Sequence, residues 1–207
     1  MRHRLTRRVL SLIFLAIPTL PAAAPPPTEP VPQGASLAGQ LLVASPEIGD
    51  PRFEHTVVLL VRHKLSGALG IVINRPLGER PLALLMDMIG EDATHIEGSV
   101  QLFAGGPVEP EVGFVVHSVD YYRTETLEVG SNLAVTSTRE ILRDIAHNKG
   151  PAKSLIAFGY AGWGPGQLES EMAQRGWFTA PADPALVFDE ARGTLWEEAM
   201  KRRSRQL

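Results

Sequence analysis

The chain has 207 residues, 44% hydrophobic and 21% charged, a balance typical of a globular domain that excludes disordered, collagen-like and coiled-coil classes. It has no cysteine, which excludes disulfides, thiolate metal sites and cysteine nucleophiles. The formal net charge is −3. It becomes −7 without residues 1–24, which hold four Arg and no acid, and this charge disfavours binding to nucleic acid or anionic membranes.

Residues 1–24 have the organisation of a secretory signal peptide. Four arginines precede a largely apolar block at 9–20, and Ala22 and Ala24 match the small residues before a cleavage site. The block is too short for an uncleaved membrane anchor, and the segment lacks the serine content of a transit peptide. We expect cleavage after Ala24 and a periplasmic or secreted protein. The alternative is a misassigned start codon, which would make the protein cytoplasmic.

The segment that follows the leader is rich in proline. Six prolines lie between residues 21 and 32, a composition that favours an extended chain with nothing to bury. We therefore predict a disordered linker at 25–36 and a single domain at 37–207. Within that domain the sequence has no internal repeat and no second linker.

Short apolar runs bounded by turn residues predict the strands of the domain. Ser66 and Gly67 predict a tight hairpin turn between the second and third strands. The run at 154–158 is apolar on both faces and is predicted to lie centrally in a sheet. The predicted strands are 40–44, 56–62, 68–74, 100–103, 113–117, 125–129, 133–136 and 154–158.

Four segments have helical patterns, and three of them have a glycine within two residues of their end, a common residue at that position. Strands and helices do not alternate strictly, so the sequence predicts an α+β fold with a mostly antiparallel, bent sheet. A doubly wound sheet is the alternative. The predicted helices are 82–89, 138–148, 167–175 and 194–203.

A glycine-rich segment at 159–169 lies between a predicted strand and a predicted helix. Backbone N–H groups in such a turn can hold an anion. The glycine spacing matches neither a dinucleotide fingerprint nor a phosphate loop, so a plain turn is favoured and phosphate binding is the alternative. Trp163 is expected to pack beneath the turn, and a stacking platform for a ligand is the alternative.

Two further turns follow predicted strands. Asn74 and Arg75 end one strand. Arg75 either clamps a carboxylate or phosphate of a ligand or pairs with an acidic neighbour on the surface, and we favour the pairing. Gly105, Gly106 and Pro107 end another, where adjacent glycines permit unusual backbone angles or close approach of two chain segments.

The histidines form no recognisable metal or catalytic motif. The sequence has no HExxH or HxH pair and no G-x-S-x-G, so neither a metal nor a cofactor is expected. His63 and His117 lie at the ends of predicted strands, where a structural role is the usual one. A hydrolase that uses either histidine with a nearby carboxylate is the enzymatic alternative.

Several motifs follow one another in order along residues 37–200. They lie at 39–44, 50–57, 67–76, 105–108, 159–171 and 177–189. Together they resemble the bacterial YqgE/AlgH family. The resemblance implies an α+β fold in which a curved sheet forms a pseudo-barrel flanked by helices, and it implies no established reaction. Family members generally lack an export signal, so the leader departs from the pattern.

The resemblance also supplies candidate ligand-binding residues, without any catalytic role. They are Asn74, Arg75, Gly105, Gly106, Pro107, Gly159, Tyr160, Gly162, Trp163, Gln167 and Glu169.

These observations favour a non-enzymatic binding or regulatory module for a small anionic ligand or a protein partner of unknown identity. An uncharacterised hydrolase is the alternative. A transcriptional regulator, as supposed for one family member, is weaker, because the chain is acidic and has no helix-turn-helix signal. No stable membrane span is expected.

Overall fold

The computed structural model describes residues 36–204. The predicted leader and all of the predicted linker except Ser36 lie outside this range. The strands are β1 Gln40–Ala44, β2 Val57–Lys64, β3 Gly67–Val72, β4 Pro76–Pro81, β5 Ser99–Ala104, β6 Val108–Ser118, β7 Leu127–Val129, β8 Leu133–Thr136, β9 Ser154–Trp163 and β10 Trp177–Pro181. The helices are α1 Leu82–Met88, α2 Arg139–Ala146, α3 Gln167–Ala173, α4 Pro184–Val187 and α5 Leu195–Lys201.

All ten of these strands belong to one branched sheet. The main path runs β10-β1-β2-β3-β9-β6-β8-β7, and β4 joins through β5, which pairs with β9. The β5–β9 pair is parallel and every other pair is antiparallel. The expected α+β fold with a mostly antiparallel, curved sheet is confirmed.

Strand β9 is the centre of the sheet. It pairs with β3, β5 and β6, so the predicted central position of 154–158 is confirmed. The prediction that the chain leaves the strand at 159 is wrong, because β9 continues to Trp163. Pairing of 161–163 with 68–70 of β3 holds these glycine-containing residues in the sheet.

Two strands and one helix lack a clear signal in the sequence. Strand β4 occupies a segment predicted to be a turn, has proline at both ends and is almost wholly exposed. It therefore lacks the apolar alternation typical of a half-buried strand. The sequence does not predict strand β10 or the four-residue helix α4 either. Strand β10 is defined by its pairing with β1.

The sheet buries apolar side chains on both faces. In β1, Leu41 and Val43 enter one cluster, and Leu42 and Ala44 enter another on the opposite face. The first cluster collects side chains from both ends of the sheet and from α4 and α5, so it fills the concave side. On the convex side, one cluster packs beneath α3 and another beneath α1 and α2.

Candidate functional site

The predicted residues Asn74 and Arg75 make contacts that tie two chain segments together. Asn74 Oδ1 accepts from the Val57 N–H at 2.9 Å, and its Nδ2 donates to the His55 carbonyl at 2.8 Å. Arg75 donates to the Glu54 carbonyl at 3.1 Å and to Thr56 Oγ1 at 2.8 Å. These bonds anchor the chain entering β2 to the end of β3. The partners of Arg75 are a backbone carbonyl and a hydroxyl, and not the acidic side chain expected from the sequence.

Gly105, Gly106 and Gly159 lie where the chain that leaves β5 packs across β9. A Cβ on Gly105 would lie 2.3 Å from the Gly159 carbonyl oxygen, and one on Gly106 would lie 2.1 Å from the Tyr160 carbonyl carbon. The Gly105 N–H donates to the Phe158 carbonyl at 2.7 Å. Two backbones therefore pack directly against each other here, which explains the glycines without a ligand.

The turn between β9 and α3 uses its own polar groups. The Gly164 N–H donates to Gln167 Oε1 at 3.0 Å. The Glu169 carboxylate accepts from its own backbone N–H and from His63, and both bonds hold the pKa of Glu169 below its usual value. The Gly164 N–H, one of the donors that an anion would need, is therefore already satisfied within the turn.

Glu171 organises the floor beneath this turn. Its Oε2 accepts from the indole N–H groups of Trp163 at 2.9 Å and Trp177 at 2.8 Å, and its Oε1 accepts from Gln167 Nε2 at 2.9 Å. Both indoles are buried and lie edge to face, with ring centroids 5.8 Å apart. Phe53 lies edge to face with Trp177 at 5.4 Å. One carboxylate therefore fixes the two indoles by their N–H groups.

A pocket of about 500 Å³ opens above this floor. The loop 46–53, the start of β6 and the segment 162–177 form its walls. Phe53, Trp163 and Trp177 contribute aromatic rings, and the charged residues of its lining are Glu47, Asp50, Arg52 and Glu171.

The loop 46–53 carries an internal ion pair at the pocket. Arg52 binds Asp50 with an N–O distance of 2.6 Å, and this hydrogen-bonded guanidinium lowers the pKa of Asp50. Asp50 also caps the short 3-10 helix Pro51–Phe53 by accepting from the Arg52 N–H. The ion pair and the cap hold the loop in a defined shape beside Phe53.

The pocket brings together only some of the residues predicted from the sequence. Pro107, Gly162, Trp163 and Gln167 line it. The sequence gives little signal for the others. The prolines at 46–52 indicate only a loop, and an acidic residue such as Glu171 near the start of a helix commonly serves to offset the helix dipole. The predicted residues outside its lining are Asn74, Arg75, Gly105, Gly106, Gly159, Tyr160 and Glu169.

His63 is held by contacts on both ring nitrogens. The Leu37 N–H donates to Nδ1 at 3.1 Å, so the ring proton lies on Nε2, which donates to Glu169 Oε1 at 2.8 Å. Ser36 Oγ donates to the His63 carbonyl at 3.1 Å. The imidazole thus joins the start of the domain to α3 and has no free nitrogen for use as a base.

His117 is fully buried. Its Nδ1 donates to the Ser118 carbonyl at 2.8 Å, so Nε2 accepts from Thr136 Oγ1 at 3.0 Å. Burial lowers the pKa of His117. The contacts of both histidines therefore give the hydrolase alternative no support.

Within residues 36–204, no three histidine or acidic side chains are grouped so that they could hold a metal ion. No helix in the same range combines the length and apolar character needed to cross a membrane.

The AlgH-like (DUF179) family model matches residues 41–207. The chain belongs to the AlgH-like family. A UPF0301 protein of Ruegeria pomeroyi is 44% identical over 168 residues, which cover 80% of this chain and 90% of the relative. A UPF0301 protein of Rhodospirillum rubrum is 45% identical over 166 residues, which cover 80% and 86%. The resemblance to the YqgE/AlgH family is confirmed.

Solved structures agree with this assignment. The solution structure of the AlgH protein from Pseudomonas aeruginosa is 38% identical, with a TM-score of 0.68 over 84% of this chain and 91% of that one. A crystal structure of a protein from Corynebacterium diphtheriae is 22% identical, with a TM-score of 0.60 over 81% and 87%, and shows the fold alone.

Proposed function

We propose that this protein is a non-enzymatic binding module and that its small ligand occupies the pocket between the loop 46–53 and the segment 162–177. The observation that carries the proposal is the construction of this pocket. Segments far apart in sequence converge on a floor of buried indoles fixed by one carboxylate. A concave site with aromatic walls and a few placed polar groups is the usual form of a small-molecule site.

The pocket is a better candidate than the glycine-containing turns. At those turns the glycines serve the close packing of the chain after β5 against β9, and the Gly164 N–H of the β9–α3 turn is bonded to Gln167. Arg75 is likewise committed to Glu54 and Thr56. The pocket, in contrast, offers open volume beside its polar groups.

The indole N–H signals of ¹⁵N-labelled protein provide a local readout of binding. Trp163 and Trp177 belong to the pocket, whereas the Trp196 N–H donates to the Ala44 carbonyl outside the lining and serves as an internal control. A panel of nucleotides, phosphates, carboxylates, sugars and amines is titrated into the protein. We expect a ligand to shift the first two signals and leave the third unchanged.

A blocked variant tests whether the pocket itself is the site. Gly49 lines the pocket, and a Cβ there meets no atom within 4 Å, so Gly49→Phe places a ring in open space. Gly193→Phe is the matched control, because Gly193 also has free space and lies outside the lining. Binding that survives Gly49→Phe, or a panel without any binder, contradicts the proposal.

We further propose that the protein acts in the periplasm or is secreted, on the strength of the arginine-led apolar leader and its Ala22–Ala24 site. The measurement is the intact mass of native protein from separate periplasmic and cytoplasmic fractions of the host. We expect a periplasmic species that begins at Pro25. A cytoplasmic species that begins near residue 36 would instead support a misassigned start codon.

A further inference from the structure

We infer that the ligand of this pocket is a small organic cation with ammonium or guanidinium groups, an inference that rests on the proposed binding function. The charges of the lining carry the argument. Glu47, Asp50 and Glu171 contribute three carboxylates, and Arg52 contributes one guanidinium, so the lining has a net formal charge of −2.

The carboxylates differ in how far their charge is already compensated. Asp50 is paired with Arg52. Glu171 is bonded to two indole N–H groups and one amide, which are dipoles without net charge. Within residues 36–204, Glu47 has no ion pair. Glu47 and Glu171 therefore leave a negative potential in the pocket that a cation would neutralise.

The ring of Phe53 favours the same sign of charge. Aromatic faces attract ammonium and guanidinium groups through their quadrupoles. The pocket already contains an example of this chemistry, because Arg52 Cζ lies 6.0 Å from the centroid of the Phe53 ring while its guanidinium pairs with Asp50. A ligand ammonium would meet the same two kinds of partner.

An anion finds no comparable set of partners. Among residues 36–204, Arg52 is the one cationic residue of the lining, and its charge is engaged by Asp50 at 2.6 Å. A carboxylate or phosphate would have to separate that pair and then lie near Glu47 and Glu171. The small anionic ligand expected from the sequence is therefore the less favourable occupant of this pocket.

Three probes of similar length and different charge test the sign of the ligand. The full-length protein is titrated with 1,4-diaminobutane, with neutral 1,4-butanediol and with succinate, and the indole N–H signals are followed. We expect only the diamine to shift the signals of Trp163 and Trp177, with no change at Trp196. Added salt should weaken the effect, because salt screens exposed charges.

A charge-removing variant ties the effect to the pocket. Glu47→Gln should weaken diamine binding about threefold, the size expected for one exposed ion pair. The side chain of Glu47 makes no hydrogen bond within residues 36–204, so the fold should be unaffected. Glu125→Gln, at another exposed acid outside the lining, gives the same change in net charge and should leave binding unchanged.

The outcomes separate this inference from the binding function on which it rests. Binding of succinate or butanediol at the pocket without binding of the diamine overturns the cation and retains the binding module. Diamine shifts that extend equally to Trp196, or that Glu47→Gln leaves unchanged, also overturn it. If no amine binds, the inference fails, while the broad panel and Gly49→Phe decide the proposed function independently.

Discussion

At the scale of single residues, several polar side chains act mainly on the backbone or on buried partners. Asn74 satisfies both the Val57 N–H and the His55 carbonyl and thereby replaces missing sheet contacts at the end of β3. Glu171 satisfies the N–H groups of two buried indoles. Such groups are costly to remove because their buried partners are left without a hydrogen bond.

Glu171→Ala should lower the free energy of unfolding by about 2 kcal/mol, because it leaves the N–H groups of Trp163 and Trp177 without an acceptor. Glu171→Gln, which keeps one side-chain carbonyl, should lose less. Urea unfolding measures both values. Glu197→Ala, at an exposed acid in α5, is the helical control and should change stability by no more than about 0.5 kcal/mol. Equal losses in Glu171→Ala and this control would contradict the role assigned to Glu171.

The buried imidazole of His117 should make stability depend on pH. Burial holds its folded pKa below the ordinary value of 6.5, so the unfolded chain binds the proton more readily. Its contribution is complete above pH 6.5 and is lost as the pH falls from 6.5 toward the folded pKa. The free energy of unfolding, measured across this window, should decrease with falling pH in wild type and in His55→Gln, a variant at an exposed histidine. The decrease should be smaller in His117→Gln.

At the scale of elements, β9 shows how local signals and packing differ. Its first half is an apolar run that periodicity recognises, and its second half contains glycines that are typical of a loop. Pairing with β3 keeps the second half in the sheet, and the glycines allow the chain that leaves β5 to cross it in close backbone contact. The same residues that suggested a turn therefore permit a strand crossing.

Gly105→Ala should destabilise the protein by about 3 kcal/mol or more, because the added Cβ would lie 2.3 Å from the Gly159 carbonyl oxygen and neither backbone can move freely. Gly193→Ala, where a Cβ meets no atom within 4 Å, should have little effect. Thermal unfolding compares the two variants. A small change at Gly105 would show that the crossing of β5 and β9 is looser than described.

At the scale of the whole molecule, the sheet curves until its two ends share one core. Side chains from β1 and β10 at one end and from β7 and β8 at the other pack in the same concave cluster with α4 and α5. The convex side is covered in two separate parts by α3 and by α1 with α2. This arrangement leaves the pocket beside α3, on the convex side.

The overall charge leads to a prediction for the whole protein. After removal of residues 1–24 the chain carries sixteen basic and 23 acidic residues, and nonspecific nucleic-acid binding depends on clustered basic ones. The protein should pass through heparin and DNA columns at physiological salt without retention. Retention would revive the transcriptional-regulator alternative.

The sequence by itself determined where most strands and helices lie, the α+β class, the β2–β3 hairpin and the family. These features depend on apolar periodicity, turn residues and motifs that act over a few neighbouring positions. Tertiary structure alone decided the parallel pairing of β5 with β9, the inclusion of β4 and β10 and the meeting of the loop 46–53 with 162–177. It also decided that Glu171 binds two indoles. These features depend on contacts between distant segments, and such contacts arise only when the sheet curves and packs.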